Sequence, residues 1–179
     1  AHHLLDIIND VLDMSKIEAG KFELVETDID LRHLYYSVER IVSDRARSSG
    51  VPLEMKVDAN LPPISGDERV LRQVLINLVT NAIKFSDAGS TVTMKAVRHH
   101  NGGIRLTVHD RGVGISPTEI RKVLEPFAQA DNPDISNGGG TGLGLPLAKA
   151  MAELHGGELR LDSTKNVGTK VHIDLPRER

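Results

Sequence analysis

The order of the predicted elements indicates an α/β fold in which a mixed sheet has helices packed on one face. Segments with helical periodicity come between segments with strand-like alternation, in the order helix, strand, helix, two strands, short helix, loop, helix, two strands. This order lacks the strict alternation of a doubly wound sheet, and its long helical segments exclude an all-β fold. No stretch of the sequence repeats along the chain.

Two helices are predicted in the first fifty residues. Residues 2–19 carry an apolar stripe and end at Gly20, a residue type that often closes a helix in the left-handed conformation. Asp30 can cap a second helix over residues 31–48. Because no capping residue precedes the first helix, we expect the chain to begin inside a helix of a longer protein.

The next segment predicts a strand and a long helix. Residues 51–57 alternate apolar and polar side chains, as a half-buried strand does. A break at residues 61–63, which include two prolines, ends this segment. The following helix opens at residues 66–67 and extends to Phe85.

The middle of the chain predicts a hairpin and a short helix. Strands over residues 91–98 and 104–110 are joined by a turn at residues 101–103, which contains two glycines. The segment Ser116–Glu119 has the pattern of a capping box with proline at the first helical position. A short helix is therefore expected to start there.

The last part predicts a loop, a helix and a final hairpin. Residues 128–141 are polar and rich in glycine, which is typical of a long mobile loop. Residues 143–155 follow with helical periodicity and end before two glycines. Strands over residues 158–163 and 169–175 then form a hairpin.

The composition excludes several kinds of partner and chemistry. A net charge of −3 over 179 residues indicates no nucleic-acid partner, and aromatic residues at 3% are too few for a platform that stacks single strands. The absence of cysteine excludes disulfides, thiolate zinc sites and cysteine nucleophiles. No apolar run is long enough to cross a bilayer, so we expect no direct membrane contact by this chain.

The glycine-rich stretch at residues 138–145, with the sequence GGGTGLGL, is a candidate phosphate site. It lacks the Gly-Lys-Ser/Thr ending of a P-loop, and it lies too late in the chain for a dinucleotide fingerprint. Its glycines lead into the helix over 143–155, whose first N–H groups and positive dipole end favour an anion. A plain glycine-rich loop is the alternative.

One side of the long helix over 66–85 carries amides and a lysine. Asn77, Asn81 and Lys84 fall within roughly 60° of arc on a helix of 3.6 residues per turn. An amide oxygen can ligate Mg²⁺ together with phosphate oxygens, and an ammonium group can pair with a phosphate. The alternative is an ordinary amphipathic helix with a polar outer face.

The segment after the strand over 104–110 suggests a site for a base. Asp110 can accept a hydrogen bond from an exocyclic amine such as adenine N6. Gly112 and Gly114 remove side chains, which would let the backbone approach a flat ring. A simple Asp-x-Gly turn at the end of a strand is the alternative.

These motifs occur together in this order, and together they resemble the catalytic, ATP-binding domain of sensor histidine kinases of two-component systems. That domain belongs to the ATPase superfamily shared with gyrase, a heat-shock chaperone and mismatch-repair proteins. The boxes that carry the resemblance are the asparagine box at Asn77–Phe85, the first glycine box at Asp110–Gly114, the phenylalanine box at Glu125–Phe127, the second glycine box at Gly140–Leu145, and a last turn at Gly168–Thr169. The resemblance implies a two-layer α/β sandwich of the GHKL (Bergerat) type.

The resemblance also implies a role for each site residue, with ATP and Mg²⁺ as cofactors. Asp110 would read adenine N6, Asn81 would ligate Mg²⁺ with Asn77 assisting, and Lys84 would contact phosphate. Phe85 would line the ribose side, residues 128–141 would form a lid over ATP, and Phe127 would be its base. The implied catalytic residues are Asn77, Asn81 and Lys84. The implied nucleotide-binding residues are Asn81, Lys84, Phe85, Asp110, Gly112, Gly114, Ile115, Phe127, Gly140, Thr141, Gly142, Leu143, Gly144, Leu145 and Thr169.

By the same resemblance the chain divides into two parts. Residues 1–22 are similar to the end of the second helix of a dimerisation domain, and residues 23–179 are similar to the catalytic domain. The implied partners are the protein's own dimerisation domain, in a homodimer of the full-length protein, and a response-regulator receiver domain. The implied location is cytoplasmic. His2 and His3 lack the acidic residue and proline of the phosphoacceptor motif, so the acceptor histidine is expected outside this chain.

Two departures from the superfamily pattern leave alternatives open. Hydrolytic members place a glutamate four residues before the magnesium asparagine, whereas this chain has Asn77, and a neutral amide is no general base. Phosphoryl transfer to a protein side chain is therefore favoured over steady hydrolysis. The expected lid has no lysine or arginine between Lys122 and Lys149, and Gln129 stands where such a charge often occurs. A nucleotide-sensing module without phosphotransfer is the alternative.

Overall fold

The computed structural model describes residues 2–128 and 140–177, and it shows one layer of helices on a five-stranded sheet. The helices are α1 (His2–Glu18), α2 (Leu31–Ser48), α3 (Glu68–Lys84), α4 (Ile120–Val123) and α5 (Gly144–Leu154). The strands are β1 (Thr27–Ile29), β2 (Leu53–Val57), β3 (Ile64–Gly66), β4 (Val92–Arg98), β5 (Ile104–Asp110), β6 (Glu158–Thr164) and β7 (Gly168–Leu175).

The large sheet is mixed, as the sequence predicts. Its strand order is β2-β4-β5-β7-β6, in which β2 pairs parallel to β4 and every other neighbour is antiparallel. One face of each central strand carries buried apolar residues such as Met94, Leu106 and Ile173, and these form one core with helices α2, α3 and α5. The opposite face carries polar residues such as Arg105, which pairs with Asp174 across the strands. The predicted two-layer α/β sandwich is confirmed.

Two details of the structure differ from the predicted elements. The short strands β1 and β3 pair antiparallel in a separate small sheet, and the sequence pattern did not predict either of them. The helix expected at the capping-box segment begins later, at Ile120. The Ser116 hydroxyl donates to the Glu119 carboxylate, so the two polar side chains bond each other in a turn instead of capping a helix that starts at residue 117.

Helices α3 and α5 lie antiparallel, and a buried histidine joins one end of the pair. The His155 ring, after the end of α5, accepts the Asp67 N–H on Nε2 at 3.1 Å and bonds the Met151 carbonyl through Nδ1 at 2.7 Å. Because a carbonyl only accepts, the ring proton is on Nδ1. Asp67 caps the start of α3, so the C-terminal end of α3 lies beside the start of α5.

Tyr35 connects α2 to the sheet. Its side chain is fully buried, and its hydroxyl donates to the Lys95 carbonyl at 2.8 Å, while burial raises the pKa of Tyr35. Replacing Tyr35 with phenylalanine is expected to lower the free energy of unfolding by about 1 kcal/mol, measured by urea denaturation. Tyr36→Phe is the control, because that side chain is 55% exposed. Equal stability of Tyr35→Phe and the native protein would contradict this role.

No helix in the described ranges has both the length and the apolar content that spanning a bilayer requires.

Candidate functional site

Helix α3 provides one wall of a cavity of about 940 Å³. Asn77, Asn81 and Lys84, which the sequence placed on one side of this helix, all line that cavity. Thr80 and Phe85 line it as well. The predicted convergence of two amides and one ammonium group on a shared space is thus present in the structure.

The second wall is the glycine-rich segment at the start of α5. Gly140, Thr141, Gly142, Gly144 and Leu145 all line the same cavity. A Cβ atom added at Gly144 would lie 3.3 Å from Asn81 Nδ2, and one added at Gly140 would lie 3.3 Å from Lys84 Nζ. The absence of side chains therefore lets the start of α5 approach the amide and the ammonium group of α3 closely.

At the start of α5, the N–H groups of Gly144 and Leu145 have no partner among the described residues, and Pro146 has no N–H. Leu143 is the N-cap residue, and its side chain makes no capping hydrogen bond. Thr141 Oγ1 accepts the Leu143 N–H at 3.3 Å, and Leu143 is fully buried. Leu143 does not occur among the described residues that line the cavity, so its role as a nucleotide-binding residue stays a prediction. Free N–H groups at a helix start favour an anion, which is the property that the sequence analysis expected of this segment.

The two asparagines of α3 differ in their hydrogen bonds. Asn77 Oδ1 accepts from Gln73 Nε2 at 3.0 Å, so its amide oxygen is already engaged. No hydrogen bond to the Asn81 side chain occurs within the described part of the chain, and Asn81 is half-buried. The Asn81 oxygen is therefore the freer ligand. The i, i+4 spacing of Gln73 and Asn77 could have indicated this bond from the sequence.

Lys84 has a charged neighbour that the sequence analysis missed. Its Nζ lies 5.0 Å from the centre of the Phe85 ring. Burial lowers the pKa of Lys84, and the charge of Arg45 on α2 lowers it further. Arg45 also lines the cavity. No sequence signal pointed to Arg45, because it lies 39 positions before Lys84 and only the packing of α2 on α3 brings them together.

Asp110 lies in a second group of predicted residues. Its side chain is buried, and its Oδ1 accepts the Gly112 N–H at 2.9 Å. Burial raises the pKa of Asp110, and backbone N–H donors at Gly112 and Thr169 partly offset that increase. The Ile115 N–H donates to Ser163 Oγ, which also bonds Thr169 Oγ1, so Ile115 and Thr169 belong to the same group.

The Asp110 group adjoins the cavity through Phe85. The Val113 N–H donates to the Phe85 carbonyl at 3.3 Å, and a Cβ added at Gly112 would lie 1.9 Å from that carbonyl oxygen. Among the described residues that line the 940 Å³ cavity, Asp110, Gly112, Gly114, Ile115 and Thr169 do not occur. The two groups are neighbours that share the contact with Phe85, and their joint action on one ligand stays a prediction.

The structure gives a different reason for the glycines after Asp110. The sequence interpretation used their missing side chains to admit a ligand ring. In the structure, the Phe85 carbonyl fills the space beside Gly112, and the Thr164 carbonyl lies 2.0 Å from a Cβ added at Gly114. Gly114 also has φ of +65°, which favours glycine. Both glycines are thus required by close backbone packing.

The expected lid falls largely outside the described residues. Residues 129–139, which include Gln129, are not described. Phe127, the expected base of the lid, has φ of +61° and is 65% exposed, and its N–H donates to the Gly142 carbonyl at 3.2 Å. Phe127 is therefore held against the glycine segment, and its role under a lid stays a prediction.

Helix α1 lines the cavity with three carboxylates that the sequence analysis did not single out. Asp6, Asp10 and Asp13 recur at helical spacing and share one side of α1. Burial, followed by the charges of Asp13 and Asp6, raises the pKa of Asp10. A helix-face count could have found this cluster.

The rest of α1 has one packed side and one exposed side. Met14 and Ile17 pack against the core, whereas an apolar stripe is exposed, formed by Leu4, Leu5, Ile8 and Leu12. The division of the chain between residues 22 and 23 stays a prediction.

The described residues contain no cation site built from three or more carboxylates or imidazoles. Across residues 2–128 and 140–177, no three histidine, aspartate or glutamate side chains are grouped so that they could hold a metal ion. A cation in this cavity would need the Asn81 oxygen together with oxygens of a ligand and water, which is how Mg²⁺ commonly binds with phosphates.

A comparison with protein families shows to which family this chain belongs. Residues 66–179 match the family model described as histidine kinase-, DNA gyrase B- and HSP90-like ATPase. The chain belongs to this ATPase family. The matched range contains both the α3 wall and the glycine segment, so the family resemblance seen in the sequence motifs is confirmed.

Relatives of this ATPase domain are histidine kinases. Histidine protein kinase DivJ of Caulobacter vibrioides is 41% identical over 174 residues, covering 97% of this chain and 29% of DivJ. A sensor-like histidine kinase of Rhizobium meliloti is 40% identical over 176 residues, covering 98% of this chain and 33% of that relative. The chain thus spans about a third of the length of these relatives.

Solved structures agree with this assignment. Full-length ShkA in complex with AMPPNP is 32% identical and superposes with a TM-score of 0.86, over 97% of this chain and 36% of ShkA. Over nearly its whole length, the ATPase domain described here thus has the fold of part of a protein that was solved with a nucleotide analogue.

Proposed function

We propose that this domain binds Mg²⁺-ATP between α3 and the glycine segment and transfers the γ-phosphoryl group to a histidine outside the chain. An aspartate on a response-regulator receiver domain would accept the group next. The observation that carries the proposal is the approach of Gly144 to Asn81 and of Gly140 to Lys84, each with 3.3 Å between an added Cβ and the side-chain nitrogen. This geometry supports the proposal, because N–H donors, an amide and an ammonium group that would bind a triphosphate adjoin one space.

Each residue has a role that follows from its chemistry. The Asn81 oxygen, which has no partner within the described residues, would hold Mg²⁺, and that cation would neutralise charge on the phosphates. Lys84 would pair with a phosphate oxygen, and the first N–H groups of α5 would bind others. These groups position the phosphates and leave the terminal phosphorus open to the acceptor imidazole.

Asn77 supports transfer over hydrolysis. Its amide oxygen is held by Gln73, and a neutral amide cannot take a proton from water. In the transfer step, the acceptor imidazole nitrogen forms the new P–N bond. The bond from phosphorus to the bridging oxygen breaks, and ADP leaves with the electron pair. A steady release of phosphate is not expected from this domain alone.

The proposal extends to partners and location. The exposed apolar stripe of α1, which includes Leu5, Ile8 and Leu12, fits a helix of the protein's own dimerisation domain in a homodimer. Relatives named as histidine kinases support a receiver domain as the second partner. We place the domain in the cytoplasm as part of a longer protein.

A trans-phosphorylation assay tests the proposed function. The domain is mixed with a separately supplied dimerisation domain and ATP labelled on the γ-phosphate. Label on histidine is expected with the native domain and not with Asn81→Ala. ATP binding without any label would favour the nucleotide-sensing alternative, and steady phosphate release without a partner would favour a hydrolytic ATPase.

Asp110 is expected to select adenine. Replacing Asp110 with asparagine keeps its shape but gives an NH₂ group where one carboxylate oxygen stood, so we expect about tenfold weaker ATP binding and less preference for ATP over GTP. Calorimetry with both nucleotides measures the effect. Asp162→Asn is the control, since Asp162 bonds His172 on the polar face of the sheet. Unchanged discrimination between ATP and GTP would contradict the role of Asp110.

A further inference from the structure

The proposed site has too little positive charge near the terminal phosphate if only the motif residues are counted. Between Lys122 and Lys149 the sequence contains no lysine or arginine. Lys84 is then the single cation contributed by the asparagine, phenylalanine and second glycine boxes. The terminal phosphate carries more negative charge than either other phosphate of ATP, so a second cation near it would be expected to improve binding.

The packing of α2 beside α3 brings such a cation to the cavity. The two helices run in the same direction, because Arg72 Nε donates to Ser37 Oγ at 3.1 Å in the second turn of each helix, and the Gly89 N–H donates to the Gly50 carbonyl at 2.7 Å after their ends. Arg45, in the last turn of α2, therefore lies beside the last turn of α3. It lines the cavity together with Thr80 and Lys84.

Neither Arg45 nor Lys84 forms an ion pair with a carboxylate of the part of the chain that the structure describes. Within residues 2–128 and 140–177, no acidic side chain lies within ion-pair distance of either group. Arg47, the next arginine of α2, is by contrast paired with Asp44 at 3.2 Å. The charge of Arg45 lowers the pKa of Lys84, so the two cations are close enough to repel. An anion between them would relieve that repulsion.

We propose that Arg45 binds the terminal phosphate of ATP and takes the place of a lid cation. This inference rests on the proposed function, because it requires a triphosphate in the cavity. Arg45 is exposed at the mouth of the cavity, and Lys84 is half-buried. The terminal phosphate must also lie at the mouth, since an acceptor histidine from outside the chain has to reach it.

The opposite wall carries the charges that could compete for Arg45. Asp6, Asp10 and Asp13 of α1 line the same cavity. If Arg45 served mainly to hold α1 by attraction to these carboxylates, its loss would affect ADP and ATP alike. A contact with the terminal phosphate would affect ATP alone, so the two roles have different readouts.

The test compares ATP and ADP affinities by calorimetry with Mg²⁺ for the native protein, Arg45→Gln, Arg45→Lys and Arg47→Gln. We expect Arg45→Gln to weaken ATP binding about tenfold and to leave ADP binding unchanged, with partial rescue by Arg45→Lys. Arg47→Gln is the matched control and should change neither affinity.

Three results would overturn the inference. They are unchanged ATP affinity in Arg45→Gln, equal weakening of ATP and ADP, or the same effect in Arg47→Gln. A native protein that binds neither nucleotide would instead contradict the proposed function itself, so the two failures are distinguishable.

Discussion

Replacing Asn81 with alanine is expected to remove the Mg²⁺-dependent part of ATP affinity and to slow phosphotransfer about a hundredfold or more. The physical reason is that Asn81, unlike Asn77, has an amide oxygen that the described residues leave without a hydrogen bond. Calorimetry with excess Mg²⁺ and with a chelator measures the first effect. The trans-phosphorylation assay measures the second.

The chelator supplies the internal control for Asn81. Without Mg²⁺, the native protein and Asn81→Ala should bind ATP equally, because no cation is then present to be lost. Asn77→Ala is the matched variant, and its effect should be smaller because Gln73 already engages the Asn77 oxygen. An Asn81→Ala protein whose ATP affinity still rises with Mg²⁺ as in the native protein would contradict the assigned role.

Replacing Gly112 with alanine is expected to destabilise the fold by about 3 kcal/mol and to weaken nucleotide binding as well. The added Cβ would lie 1.9 Å from the Phe85 carbonyl oxygen and 2.7 Å from its carbon, and both are backbone atoms. Either the end of α3 or the turn after Asp110 must move. Urea denaturation measures the loss of stability, and calorimetry measures the loss of affinity.

Gly140→Ala is the control for the effect at Gly112. Among the described residues, a Cβ added at Gly140 meets only Lys84 Nζ, at 3.3 Å, and that atom ends a flexible side chain. The free energy of unfolding should therefore change by less than about 0.5 kcal/mol. If Gly112→Ala is as stable as the native protein, the close packing of this turn on Phe85 is not what requires glycine there.

Sequence patterns predicted the long elements of this fold because each carries its own periodicity. The helices over 31–48 and 66–85 match α2 and α3 closely, since apolar spacing and a capping aspartate mark each of them. Strands β1 and β3 were missed because each has three residues, too few to show an alternation. Their pairing, with Thr27 opposite Gly66, depends on tertiary contacts that no local pattern records.

The candidate site was predictable where it lies on one helix or one loop. Asn77, Asn81 and Lys84 follow from helical geometry, and the glycine segment follows from its composition. The contribution of Arg45 was not predictable, because it depends on which side of α2 packs beside α3. The packing that requires glycine at position 112 was also not predictable, because the sequence does not show which two backbone segments come into contact.

A crystal structure of the domain with AMPPNP and Mn²⁺ tests the central claim most directly. Anomalous scattering identifies the cation, and we predict its peak about 2.1 Å from Asn81 Oδ1, between the phosphates and α3. The same map should place the exocyclic amine of adenine within hydrogen-bond distance of the Asp110 carboxylate. A nucleotide bound away from α3 and the glycine segment, or a cation without contact to Asn81, would contradict the account.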